Sequence, residues 1–162
     1  MAIAYLETTI PSYLTSRPSR DLIVAAHQQL THEWWSGARH GLDFVVSEAV
    51  LAEVREGNPE FSDERIKIVR EFPVLSLNDD VRSLVKVYAT GLGLHPEAAG
   101  DVLHISFAVA YEVDYLVTWN CKHIANGHVI RRLQEINARQ RRATPVIVTP
   151  EELLVKPTGE TP

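Results

Sequence analysis

Residues 101–123 read D-V-L-H-I-S-F-A-V-A-Y-E-V-D-Y-L-V-T-W-N-C-K-H. The stretch predicts a buried helix, a tight turn, a short buried strand and a polar strand end. The helix opens on a carboxylate, Asp101. The strand, over 115–118, runs out at Asn120, whose side chain carries an oxygen. A short apolar run of this kind suits a parallel sheet covered on both faces. In such sheets ligands bind in the crevice beyond the carboxyl ends of the strands. An acid at a helix start and a polar group just past a strand therefore point to one cleft.

Outward from this stretch the same grammar repeats. Residues 2–6 (A-I-A-Y-L) form a short apolar run, a second buried strand, ending at Glu7-Thr8-Thr9. Ile10 to Leu14 is a short turn or helix with Pro11 near its start. Ser19 or Asp21 caps a helix to about Ser36, with Ile23, Ala26, His27, Leu30 and Trp34 on one face and Gly37 and Gly41 ending it. Residues 43–46 (D-F-V-V) are a strand. Ser47 caps a helix through about Glu56, closed by Gly57-Asn58-Pro59. A helix with a charged outer face runs from Pro59 to Phe72, followed by a short strand or extended link over 73–77. Asn78 caps a helix through about Thr90, with Val81, Leu84, Val85 and Tyr88 at helical spacing. Pro96 starts the central helix. After Asn120 come an irregular link to Asn126, a helix from His128 to about Gln140, a strand over 145–148 and a terminal turn. Strands alternate with helices throughout, so the expected class is three-layer α/β with a mainly parallel sheet of about five strands. A single domain is expected over 1–154, with 155–162 a flexible tail that has little to bury.

The length, 162 residues, suits one domain with one core. Hydrophobic residues make up 45% and charged residues 23%, ordinary values for a soluble globular chain. No apolar run approaches the ~18 residues of a membrane helix, and the N-terminus lacks the basic start of a secretory signal. The single cysteine, Cys121, excludes an internal disulfide, and a cytoplasmic location is expected. A net charge of −5 argues against a general nucleic-acid binder, which would carry a basic domain. It accommodates a local basic patch and several carboxylates gathered at one metal site.

Polar groups at strand ends and adjoining helix starts are the candidates for chemistry. The first strand offers Glu7, Thr8 and Thr9. The second offers Ser47, followed by Glu48 and Glu53. The central helix offers Asp101 and His104, and the strand at 115–118 offers Thr118 and Asn120. Glu7, Glu53, Asp101 and Asn120 are hard oxygen donors, a set that suits Mg²⁺ or Mn²⁺ rather than zinc or copper. Glu48 lies in the first turn of its helix, where an acid commonly just complements the dipole. Asp101 is harder to explain away, because a carboxylate in a buried helix is costly unless paired. His104, three residues on, shares its helix face and reads as a donor to a metal-binding carboxylate, as an RNA contact, or as a satisfied half-buried histidine. His123 with Asp101 and His104 lacks the ordered ligand spacing of a zinc site.

Three stretches carry a resemblance: Y-L-E-T-T-I-P-S-Y-L at 5–14, V-S-E-A-V-L-A-E-V at 46–54, and G-D-V-L-H-I-S-F-A-V-A-Y-E-V-D-Y-L-V-T-W-N at 100–120. Together with the order of elements they resemble the PIN-domain ribonucleases of the VapC toxin type. The third stretch is the most specific, an acid opening an Ala-rich helix before a strand that ends in Thr-x-Asn. The resemblance implies a PIN-like α/β/α fold and a metal-dependent (Mg²⁺ or Mn²⁺) endoribonuclease. It also implies an RNA substrate, a homodimer and restraint by a small antitoxin protein. It carries an acidic quartet onto Glu7, Glu53, Asp101 and Asn120, the first three as metal ligands, with Thr8 or Thr9 and Thr118 as supporting hydroxyls. Two positions depart from the family's commoner pattern, which has Asp where Glu7 stands and often Asp where Asn120 stands. Three formal negative charges then suit one resident ion, with any second recruited together with the RNA phosphate.

Arg17 and Lys122 lie close in sequence to the expected cleft and are candidate RNA contacts. Arg131 and Arg132, with Arg139, Arg141 and Arg142, form the chain's basic cluster, although Ile130, Leu133 and Ile136 mark the same helix as core-facing. Trp34 and Trp35 are expected in core or edge packing, and Trp119 beneath the site. The alternative to the nuclease is a PIN-like RNA- or protein-binding domain with weak or no catalysis, supported by Glu7 and Asn120. An acid-nucleophile phosphatase or phospho-receiver would need Asp where Glu7 stands.

Overall fold

The structure, a computed structural model, describes residues 1–38 and 41–154. The expected tail at 155–162 lies outside the described residues. Five strands, β1 (Ala2–Leu6), β2 (Leu42–Ser47), β3 (Val74–Leu75), β4 (Tyr115–Val117) and β5 (Val146–Val148), form one sheet in the order β3-β2-β1-β4-β5. Every pairing is parallel. Around the sheet lie α1 (Thr9–Thr15), α2 (Leu22–Ala38), α3 (Glu48–Glu56), α4 (Pro59–Val69), α5 (Asp79–Gly91), α6 (Ala99–Ala110) and α7 (Gly127–Arg139). This is the α/β class that the alternation of strands and helices predicts.

β1 is the central strand, and Ala4, Tyr5 and Leu6 are fully or almost fully buried in it. The chain builds outward from β1 through β2 to β3, then returns to the other side of β1 for β4 and β5. The strand order therefore reverses between β1 and β4. At such a reversal the connections leave on opposite faces and open a crevice at the carboxyl ends of the two strands. The β1–β4 register pairs Leu6 with Val117, so the residues that follow, Glu7 and Thr118, emerge side by side.

The helices start where cap chemistry allows. Ser47 Oγ accepts from the Val50 amide at the head of α3, Asn78 Oδ1 from Val81 at α5, and Asn126 Oδ1 from His128 and Val129 at α7. These bonds satisfy donors that a helix start leaves orphaned. For α2 the cap is Asp21, whose Oδ1 takes the amides of Ile23 and Val24.

The structure departs from the sequence reading in several places. Ile23 and Ala26 are exposed, while Gln28, Thr31 and Trp34 are buried, so the inward face of α2 is rotated from the apolar stripe. Polar groups turn inward because they have partners there. Gln28 ties down the loop through Ser19, Ser16 and Arg17, and Thr31 receives the indole N–H of Trp119 at 2.7 Å. Gly37 lies inside α2 rather than ending it. α4 stops at Val69, short of Phe72, and its outer face is not uniformly charged. Arg65 is buried and donates to the backbone carbonyls of Val54 and Asn58. Pro96 opens a 3₁₀ turn over Pro96–Ala98, and the central helix proper begins at Ala99. Trp34 and Trp35 both pack in an aromatic cluster with Phe44 and Phe72.

Candidate functional site

Three acids converge on the crevice between β1 and β4, each brought by a different element. Glu7 is the first residue past β1 and is almost wholly buried. Its Oε2 accepts three hydrogen bonds: the Thr9 hydroxyl at 2.6 Å, the Thr118 hydroxyl at 2.7 Å and the Thr9 amide at 3.1 Å. Its Oε1 takes none among the described residues. Thr9, not Thr8, is thus the hydroxyl that binds Glu7, and it also accepts the Trp119 amide at 2.9 Å.

Glu53 projects from the second turn of α3 and is partly exposed. Its Oε1 lies 2.9 Å from His104 Nε2. His104 is itself 1% exposed, and its Nδ1 lies 2.7 Å from the Tyr5 hydroxyl. Tyr5 in turn lies 2.7 Å from Ser47 Oγ. Burial works against a charge on His104, but the bond to Glu53 and the charges of Glu7, Glu53 and Asp101 outweigh it, and its pKa is raised. Burial likewise disfavours the Glu53 carboxylate. The bond to His104, its charge and the nearby Thr8 hydroxyl overcome this and hold its pKa down. Thr8 Oγ1 is buried and makes no hydrogen bond of normal geometry, although it lies close enough to Glu53 to favour the ionised form. Burial raises the Tyr5 phenol well above its ordinary value, so Tyr5 remains a donor.

Asp101 sits in the first turn of α6. Its Oδ1 accepts from Asn120 Nδ2 and its Oδ2 faces His123 Nδ1, both at 2.8 Å. Asn120 Oδ1 accepts the His123 amide at 2.9 Å, and the Asn120 amide donates to Thr118 Oγ1 at 2.9 Å. An unbroken network therefore links Glu7, Thr118, Asn120 and Asp101. The orientation of Asn120 is fixed by its partners, since the His123 amide can only donate. Asn120 consequently offers Asp101 an N–H and has committed its oxygen to the backbone. It does not face the acids as a fourth oxygen donor, the role read from the sequence.

The ligand atoms of Glu7, Glu53 and His104 all lie within 4.8 Å of one another. That tight group does not include Asp101. The unbonded Oε1 of Glu7, the unsatisfied Thr8 hydroxyl and the gathering of carboxylates suit a hard divalent cation. The ring of His104 suits it less, because both nitrogens are already engaged. Glu48, by contrast, accepts the Leu77 amide at 2.7 Å and ties α3 to the segment after β3.

The expected RNA contacts fare unevenly. Arg17 is ion-paired with Glu60 and lies over the Phe61 ring. Lys122 is exposed on the turn just beyond Asn120. Arg131 pairs with Glu135 at 3.5 Å, and Arg132 lies by Gly93. Arg142 pairs with Asp80. Trp119 is buried under the strand end and stacks on His27, ring centroids 4.0 Å apart. Sequence reasoning set His123 aside and took Tyr5 as one more apolar strand residue. The spacing of His123 from Asn120, three residues along a turn, was the available signal.

The sequence matches no protein-family model and no curated protein. Solved structures do share the fold. A chain of VapBC2 from Rickettsia felis, solved bound to a DNA fragment from their promoter, superposes with a TM-score of 0.60 at 18% identity, over 91% of this chain and 98% of that one. A chain of VapBC-1 from nontypeable Haemophilus influenzae gives 0.58 at 19% identity, over 91% and 98%. At this identity the likeness is one of fold, and the fold is the PIN-like one that the sequence resemblance implied.

Proposed function

We propose that this chain is a metal-dependent endoribonuclease that hydrolyses RNA phosphodiester bonds, the toxin half of a toxin–antitoxin pair. The observation that carries the reading is the grouping of Glu7 and Glu53 with His104 at the β1–β4 crevice, their ligand atoms within 4.8 Å of one another, with Asp101 tied to Glu7 through Asn120 and Thr118. Glu7 and Glu53 place two carboxylates within 4.8 Å of each other, an arrangement that a bound cation would stabilise. Glu7 and Glu53 would supply oxygens to a Mg²⁺ or Mn²⁺ ion, with Asp101 as the third acid of the set. An ion held there supplies Lewis-acid stabilisation of the phosphoryl oxygens and an activated water. Thr9 and Thr118 fix the Glu7 carboxylate, and Asn120 and His123 fix that of Asp101. Lys122, exposed beside Asn120, supplies a positive charge to the RNA backbone.

The VapBC identity of two structures with this fold supports the toxin assignment, and with it a small antitoxin as partner; a second copy of the chain is part of the proposal on the sequence resemblance alone. A binding-only domain is the second reading. The engagement of both Asp101 oxygens and the amide at Asn120 favour it. Incubating the pure protein with a panel of structured RNAs, with Mg²⁺, Mn²⁺ or EDTA, separates the two. Cleavage that requires metal and disappears in Asp101→Asn supports the nuclease. Cleavage surviving EDTA overturns the metal mechanism, and retention of RNA without cleavage under any metal supports the second reading.

A further inference from the structure

The geometry points to His104 as a positioning residue that sets where Glu53 stands, itself held in place by Tyr5 and Ser47. This deepens, and rests on, the metal-ion reading of the site.

The chain of contacts runs Ser47 Oγ to Tyr5 hydroxyl, Tyr5 hydroxyl to His104 Nδ1, and His104 Nε2 to Glu53 Oε1, at 2.7, 2.7 and 2.9 Å. Ser47, Tyr5 and His104 are each no more than 1% exposed. Polar groups buried so deeply are costly unless fully satisfied, and here each one is. The proton arrangement is consistent along the line. Val50 donates its amide to Ser47 Oγ; with His104 neutral, Ser47 donates to Tyr5 and Tyr5 to Nδ1, and with the ring protonated Nδ1–H donates to Tyr5 and Tyr5 to Ser47, while in both cases Nε2–H donates to the Glu53 carboxylate.

The line joins three elements. Tyr5 is on β1, Ser47 caps α3, and His104 is on α6, one turn after Asp101. Glu53 is otherwise a partly exposed side chain with three rotatable bonds, whose ordering costs entropy. The His104 bond takes Oε1, and no described hydrogen bond takes Oε2. The carboxylate is thereby held toward Glu7 with one oxygen left for an ion. His104 thus fixes the gap between the acid of α3 and the acids of β1 and α6. With both its nitrogens engaged, it does so without being a ligand.

Calorimetric titration of the full-length chain with Mn²⁺, without RNA, tests this in His104→Leu, His104→Gln and Tyr5→Phe, alongside thermal unfolding and, where RNA is cut, the metal dependence of the rate. His104→Leu is expected to weaken Mn²⁺ binding by roughly 10- to 100-fold, the range for partners that orient a ligand. His104→Gln, whose amide nitrogen can reach the place of Nε2, should stay within about 3-fold of the parent, as a substituted positioning donor would. Tyr5→Phe, which keeps the fold's shape, should fall between them. Saturating Mn²⁺ should restore the cleavage rate in His104→Leu. Unchanged affinity in both His104→Leu and Tyr5→Phe overturns the inference. So does loss in His104→Gln equal to that in His104→Leu, which would make the ring itself the ligand. If His104→Leu does not fold, Tyr5→Phe and His104→Gln decide by the same criteria. Mn²⁺ binding without any RNA cleavage would overturn the nuclease and leave this inference standing on the affinities. Absence of Mn²⁺ binding to the unsubstituted protein overturns the metal reading and this inference with it.

Discussion

Glu7 divides the labour of its two oxygens. Oε2 is saturated by Thr9 and Thr118, and Oε1 is left to the cleft. Glu7→Gln should therefore fold well, since an amide oxygen accepts the same three donors and would turn its NH₂ toward the proposed ion. Cleavage should drop by more than the roughly 10- to 100-fold that outer partners carry, while the unfolding free energy moves by less than about 1 kcal/mol. Parallel rate and denaturant measurements check both. Tyr88 gives a second test far from the site. It is fully buried, donates to Asn137 Oδ1, and burial raises its pKa to about 12. A raised pKa in the fold means that the folded state holds the proton more tightly. That stability is whole below pH ~10 and is lost as pH rises towards ~12, worth about 2 kcal/mol over that span. Tyr88→Phe should lower stability at neutral pH by about 1–3 kcal/mol, because Asn137 loses its donor, and should flatten the alkaline decline. Unfolding curves from pH 8 to 12 show whether it does.

At the scale of elements, the acids depend on how their helices begin and end. α3 carries Glu53 next to Val54, and Arg65 of α4 closes its end by donating to Val54 and Asn58. Arg65→Met keeps the volume but orphans those carbonyls, and should cost about 1–3 kcal/mol in denaturant unfolding. Asp21→Ala removes two capping bonds from α2 and should cost ~1 kcal/mol, without effect on metal binding. Arg65 also marks where the sequence is opaque. Helical spacing shows which residues share a face, but not whether a guanidinium on that face will find carbonyls to satisfy it. The same limit misplaced Ile23 and Ala26, since an apolar stripe does not reveal that Gln28 and Thr31 have partners inside. Caps were legible at Ser47 and Asn78 because capping is local chemistry. Glu7 and Asp101 were legible because strand ends and helix starts locate them. The Tyr5–His104–Glu53 line was only half legible, since its bonded pairs are 99 and 51 residues apart and meet only once the sheet is formed.

For the whole molecule, the alternation of short apolar runs and helices was enough to give the layers, while the reversal of strand order between β1 and β4 was not written in any one segment. A resident ion binds only the assembled site, so it should stabilise the whole domain. At Mn²⁺ about 100 times its dissociation constant the gain is about 2.7 kcal/mol, which corresponds to a rise in Tm of roughly 5–10 °C for a chain of this size. EDTA should reverse it, and scanning calorimetry with and without the chelator is the check. An unmoved Tm would mean that no such ion is held.

The bond between Thr118 and Glu7 joins residues 111 apart. β1 is made first, yet one of its two edges stays open until β4 has left the ribosome. Contacts so distant in sequence form late, because the intervening loop must close before they reward it. Until β4 is made, the nascent polypeptide therefore carries Glu7 with no partner across the cleft. The centre cannot assemble until β4 and the residues after it have been added to the chain that already carries β1.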